Sequence, residues 1–292
     1  MFEFLDPFLP KKMRSTNPIV ATVRLTGVIG EGSSFKAGLN LASVKDALEK
    51  AFEMNKIDAV AISINSPGGS PVQSALIHDR IRALSKKHDV SVYTFAEDVA
   101  ASGGYWIVLA GDEVYAHETS IIGSIGVIMS TFGVDRLMKK WDIDRRVYTS
   151  GKNKNKLDMF MPENKQDVAL INQMSGDIHD AFKQHVRDRR KDKLKSDDET
   201  LFNGDFWAGK RAKDHGLIDG IGDVYSVMKE KFGEQVRFKD VSIGKKGLLK
   251  KMFGSSTPAA LAGGNVSDIG VGVAHGLAQV AEEKALWNRF GL

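Results

Sequence analysis

Val99-Ala-Ala-Ser-Gly-Gly-Tyr-Trp106 is the stretch on which the reading of this 292-residue chain turns. Just upstream, Val90-Ser-Val-Tyr-Thr-Phe95 alternates and is rich in β-formers, which predicts a strand. Just downstream, Tyr105-Trp-Ile-Val-Leu-Ala110 is apolar throughout and predicts a buried helix. A serine between the two carries its hydroxyl at the mouth of a sheet, beside backbone N–H groups that no helical turn uses. That is where an acyl-transfer nucleophile is useful. A small-residue turn that lets a helix pack closely on a sheet has the same composition, and this stretch alone does not separate the two.

Working outward, Ile19 to Leu25 predicts a first strand, and Gly27 to Gly38 a glycine-rich loop. The loop lacks both the P-loop and the dinucleotide glycine spacings, so no nucleotide is assigned. Leu41, Val44, Leu48 and Phe52 fall at helical spacing. Ile57 to Ile64 is apolar on both faces, as in a buried parallel sheet. Asn65-Ser-Pro-Gly-Gly-Ser70 ends it, and a helix with Val72, Leu76 and Ile81 follows. Further strands are predicted at Glu113–Ala116, after a turn within Ile121–Ile128, and at Ile143–Thr149, with a helix over Val134–Trp141. Strands alternating with helices indicate an α/β fold of stacked units.

Beyond residue 160 the pattern is helical. Glu163 to Lys195 predicts one long helix whose apolar face is Ile171, Met174, Ile178, Phe182 and Val186. Helices are also predicted over Phe206–Gly216 and Asp223–Phe232, and a last strand over Gln235–Lys239. The expected organisation is an N-terminal extension (1–18), a main domain (19–242) and a linker with a tail (243–292). The last part holds a basic apolar patch, Lys245–Phe253, and a Ser/Pro/Ala/Gly-rich run, Gly254–Val266. Its final segment is expected to form a helix that docks on a neighbour.

Composition narrows the classes. A hydrophobic content of 42% supports a sizeable core. The net charge of +4, with acids interspersed among the bases, argues against nucleic acid as a partner. With no cysteine, disulfides, thiolate catalysis and Cys-ligated zinc are excluded. No metal or other cofactor is expected. No run approaches the roughly 18 apolar residues of a membrane span. The start, with Phe2, Phe4 and Phe8 ahead of its basic residues, has the wrong order for a signal peptide. A cytoplasmic chain is expected. The aromatic start and the basic patch leave peripheral contact with the inner membrane surface open.

To act as a nucleophile Ser102 needs a base, an oxyanion hole and a group that orients the base. Of His78, His88, His117, His179, His185, His215 and His275, most lie in charged, helical or surface-like contexts; His117 is nearest to a site. A lysine also serves if burial or nearby positive charge lowers its ordinary pKa near 10.4. Lys152, Lys154 and Lys156 follow a predicted strand and would share one face if it continued; a solvated basic loop has the same sequence. Ser66-Pro-Gly-Gly69 offers N–H groups for an oxyanion hole, or an ordinary turn. Two glycine-rich junctions after strands of one α/β sheet would lie along the same carboxyl edge.

Ser66-Pro-Gly-Gly69, Ala100-Ala-Ser-Gly-Gly-Tyr105, Gly123-Ser-Ile-Gly-Val127 and Ser150-Gly-Lys-Asn-Lys154 occur in that order. Phe206-Trp-Ala-Gly-Lys-Arg-Ala212 and His215-Gly-Leu-Ile-Asp-Gly-Ile-Gly222 follow. Together they resemble the signal peptide peptidase A family of serine peptidases (S49), in its short, single-copy form. The resemblance covers roughly residues 19 to 240. It implies a ClpP/crotonase-like fold and a serine endopeptidase with a Ser–Lys dyad. Ser102 would be the nucleophile and Lys154 the base. Ser124 would orient Lys154, and Gly69 and Gly103 would supply the oxyanion-hole N–H groups. The expected substrates are peptides such as signal peptide remnants or unfolded segments, with small or apolar residues near the cut. A homo-oligomeric ring is implied, with the dyad completed within one chain or across a subunit boundary. The chain departs from the pattern at Asn153, where many relatives have an aromatic residue, and at Met159, where proline is frequent. A crotonase-like acyl-CoA enzyme and a non-catalytic membrane-associated scaffold are the alternatives on the same fold.

Overall fold

The computed structural model describes residues 17–32, 38–243, 280–281 and 283–292. Most of the expected extension and linker, with Phe2, Phe4, Phe8, His275 and Lys245–Phe253, lies outside the described residues.

The framework is a mostly parallel sheet. Its strands are β1 (Ile19–Thr26), β2 (Ala59–Ser66), β3 (Ser91–Ala101), β4 (Glu113–Ala116), β5 (Ile121–Gly123), β6 (Phe206–Ala208), β7 (Gly220–Ile221) and β8 (Arg237–Val241). The order is β6-β5-β3-β2-β1-β8, with β4 pairing β3 and β7. Among the described residues only the β5–β6 pair is antiparallel. β2 sits in the middle, and seven of its eight residues are buried, which is why its sequence is apolar on both faces.

Helices close one face. α1 (Leu41–Phe52) buries Val44, Leu48 and Phe52, each worth roughly 1.5–3 kcal/mol of transfer free energy. It starts at a reciprocal cap between Asn40 and Ser43. α2 (Pro71–His88) starts with proline at its first position and ends where Asp89 turns left-handed. α3 (Gly103–Val108) and the C-terminal half of α5 (Lys165–Arg190) complete this layer. The other face carries α8 (Val224–Phe232), which buries Val227 and Met228 against Val20, Ala59, Ala61 and Phe95. Further along the same face, Phe290 and Trp287 pack on Val99, Ala101 and Ile121. The C-terminal segment thus docks on its own chain.

Several sequence expectations need correction. β3 runs to Ala101 instead of ending near Phe95. Within Ile121–Ile128 the strand precedes the turn. Ile143–Thr149 forms no strand, because it pairs with no edge among the described residues. Phe206–Ala208 is strand β6, and only α7 (Gly209–Asp214) is helical there. The long helix stops at Arg190, followed by a 3₁₀ turn, Lys191–Lys193, and the short helix α6 (Asp198–Leu201). Lys152 and Lys154 lie in turns, so they do not line one face of a strand.

Candidate functional site

The site is built where β3 meets α3. The β2–β3 register is Ile64 to Ala96 and then Ser66 to Ala100, so β3 carries two extra residues. Asn65 stabilises the irregularity: its amide donates to Asp98 at 2.7 Å and its oxygen accepts from the Val99 N–H at 3.2 Å. Past this bulge Ala101 pairs with Gly123. Ser102 and Ser124 therefore leave adjacent parallel strands side by side.

Both serines have φ 52°, a left-handed value that costs a non-glycine residue about 1–3 kcal/mol. Hydrogen bonds hold them there. The Ser102 N–H donates to Gly123 O at 2.8 Å, and the Trp106 N–H donates to Ser102 O at 3.0 Å. The Ser124 N–H donates to Asp205 O at 2.7 Å. Ser102 is half-buried and Ser124 is buried. Neither hydroxyl is hydrogen-bonded among the described residues.

The Ser66–Gly69 turn comes up against this junction, as the sheet-edge argument expects. Gly68 has φ +107°, and a Cβ there would lie 2.7 Å from the Ser102 Cβ. Gly69 has φ +142° and forms a parallel bridge with Ile29. In that bridge Ile29 donates to Gly68 O at 2.8 Å and accepts from the Ser70 N–H at 2.8 Å. The Gly69 N–H therefore points the other way, and it makes no hydrogen bond among the described residues. The Gly103 N–H, at the first position of α3, is likewise unpaired. A Cβ on Gly103 would lie 3.4 Å from the Gly69 nitrogen, so the two glycines are close neighbours. Two free donors beside a serine hydroxyl can stabilise the oxyanion of an acyl-transfer intermediate.

Lys154 is not brought to this site within the chain. It is exposed, its N–H closes a turn on Gly151 O at 3.1 Å, and its ammonium has no hydrogen bond to Ser102 or Ser124. Lys152 is exposed as well, and Lys156 is half-buried. All three belong to an arm, residues 127–164, that packs little on the body. Its helix α4 (Asp135–Lys140) buries no residue. Phe132, Trp141 and Tyr148 are 77%, 66% and 90% exposed. His117 is not at the site either. It lines, with Arg24, Glu97 and Tyr225, a cavity of about 480 Å³ that Ser102 does not border. Among the described residues no cluster of three or more His, Cys, Asp or Glu could hold a metal ion.

Sequence reading missed the support beneath α3. Trp106 stacks on α5: the rings of Phe182 and His185 have their centroids 5.0 and 4.5 Å from that of Trp106, at 30° and 12°. His78 of α2 meets His185 edge-on at 4.4 Å. Burial, followed by the neighbouring His78, pushes His185 down to about 4; burial also lowers His78. Tyr105 is fully buried and donates to Leu217 O at 2.7 Å, and burial raises its pKa. The spacing His179–Phe182–His185–Arg189 was the available signal, since it places all four on one helical face.

The sequence model of peptidase family S49 matches residues 84–235. That range includes Ser102, Ser124 and Lys154. A protein of Brucella melitensis named Na(+)/H(+) antiporter NhaA is 45% identical over 296 residues, covering 99% of this chain and 39% of that protein. A candidate signal peptide peptidase SppA of Enterococcus faecium is 31% identical over 215 residues, covering 71% of this chain and 61% of that protein. The chloroplastic serine protease SPPA of Arabidopsis thaliana is 27% identical, covering 86% of this chain and 39% of that protein. The chain thus spans from about two fifths to three fifths of the length of these relatives. No described helix is long and apolar enough to cross a membrane. The mixed α/β sheet agrees with the ClpP/crotonase-like fold that the motifs imply, and with the matched model and relatives it places this chain in peptidase family S49.

Proposed function

We propose that this protein is a serine endopeptidase that works through Ser102 and Lys154. The observation that carries the reading is the strained Ser102 junction with the unpaired Gly69 and Gly103 N–H groups beside it. Lys154 takes the proton from the Ser102 Oγ as that oxygen attacks a peptide carbonyl. The two N–H groups stabilise the tetrahedral oxyanion, and Lys154 returns the proton to the leaving amine. Water then hydrolyses the acyl-enzyme. Ser124 neighbours Ser102 and orients the lysine. The substrates are peptides such as signal peptide remnants or unfolded segments, with small or apolar residues near the cut.

The base comes from a second copy of the chain. The exposure of Lys154, and the apolar side chains that the arm leaves open, support a homo-oligomer in which the arm of one copy covers its neighbour. Enclosure between copies supplies the desolvation that a lysine base requires.

The test is hydrolysis of a fluorogenic Leu/Ala-rich peptide and of unfolded casein by wild type, Ser102→Ala and Lys154→Ala. Wild type cleaves, each variant alone is inactive, and a reassembled mixture of the two regains activity through sites built from one good copy of each residue. Full activity in Ser102→Ala would sink the mechanism. Silence in the mixture, with both variants oligomeric, would place the dyad within one chain.

A further inference from the structure

The helix α3, which begins directly after Ser102, is six residues long. As at any helix C-terminus, carbonyls are left without a partner inside the helix: Trp106 O within α3, and Leu109 O and Gly111 O in the turn that follows it, depend on donors from elsewhere. α5 supplies them. His185 Nε2 is 3.3 Å from Trp106 O. Arg189 donates from Nε to Leu109 O at 2.7 Å and from Nη2 to Gly111 O at 2.8 Å. Six residues earlier on the same helix, His179 Nε2 is 3.2 Å from Ile125 O. Ile125 follows Ser124 directly, and Trp106 closes its own N–H onto the Ser102 carbonyl. One rigid helix thus grips the backbones of both serine-bearing segments. A carbonyl only accepts, so each histidine donates from Nε2, and that fixes its tautomer.

We propose that His179 and His185 are positioning residues that hold the Ser124 loop and the Ser102 helix at a set spacing by hydrogen-bonding Ile125 O and Trp106 O. The proposal rests on the reading of Ser102 and Ser124 given above. Neither histidine touches substrate. Their effect is on how well the Ser102 Oγ, the Ser124 hydroxyl and the two oxyanion donors line up, so it falls on the chemical step.

The test uses the 292-residue chain with His179→Leu, His179→Gln, His185→Leu and His185→Gln. Glutamine keeps an N–H donor at nearly the same reach; leucine removes it. Peptide hydrolysis gives kcat and KM, and urea unfolding gives the folded fraction of each variant. The expected result is a kcat about 10- to 100-fold lower in each leucine variant, KM unchanged, and recovery to within about threefold in the glutamine variants. Leucine variants with wild-type kcat overturn the proposal. So does a loss that only tracks the unfolded fraction, or one that glutamine does not rescue. If Ser102→Ala cleaves like wild type, the peptidase reading fails and this proposal with it. If cleavage depends on Ser102 and the leucine variants are unaffected, the positioning role alone fails.

Discussion

Lowering the pH from 7.5 to 5 strips stability from this fold at buried imidazoles, His185 foremost. An imidazole ordinarily titrates near pH 6.5, whereas His185 is held down to about 4. Burial is the main cause, followed by His78 against its edge; Arg189 adds to the lowering, while the Trp106 carbonyl and Asp79 oppose it. Between these two values the unfolded chain binds a proton that the native chain refuses, so stability rises with pH across the window. The contribution is complete above pH 6.5 and is lost as the pH falls toward 4. At pH 5 the loss is about 2 kcal/mol at most, from the ratio of the two protonation equilibria. That corresponds to a urea midpoint lower by roughly 0.5–1 M. The assay is equilibrium urea unfolding at both pH values, for wild type and His185→Phe. Phenylalanine keeps an aromatic ring against Trp106 but cannot titrate. Its own midpoint is expected to move much less between the two pH values. An equal acid loss in wild type and variant would refute the assignment to His185.

Four further outcomes follow from the packing. In Gly103→Ala the new methyl would lie 2.4 Å from Ser74 Oγ, so the variant loses about 1–3 kcal/mol. Adding Ser74→Ala returns part of that loss, which a double-mutant cycle in urea measures. Asp219→Ala leaves the buried Arg190 guanidinium without the carboxylate that it meets at 2.8 Å; about 3–5 kcal/mol is lost, read by chemical denaturation. Phe290→Ala empties the contact with Val99, Ala101 and Phe206, so limited proteolysis cuts the C-terminal segment while the midpoint of the main unfolding transition stays in place. On the proposed assembly, Trp141→Glu puts a charge where the arm of one copy meets its neighbour, so sedimentation velocity is expected to show smaller assemblies than wild type and the peptide assay a lower rate.

Local chemistry made much of the framework legible. The two-faced apolar run of β2, the helical spacing of α1, α2 and the buried half of α5, and the strand-to-helix junction at Ser102 all follow from burial acting on neighbouring residues. The glycines at positions 68 and 69 were readable as a turn for the same reason, since backbone conformation there is a property of a few adjacent residues. The order of motifs along the chain was sufficient to indicate the family.

What pairs with what across long separations was decided only in three dimensions. Ile143–Thr149 has strand-like composition but no edge to pair with, while Phe206–Ala208, read as helical, becomes a strand because β5 offers it one. The two-residue bulge in β3 depends on Asn65, which lies 33 residues away from its partner Asp98. The histidines of α5 looked like surface residues of a charged helix. Their partners, Trp106 O and Ile125 O, lie 79 and 54 residues away. A periodic pattern records which side of a helix is buried, but it carries no information about which carbonyl waits there. That depends on the closure of the whole sheet, and it is what aligns two serines and two free N–H groups at one edge.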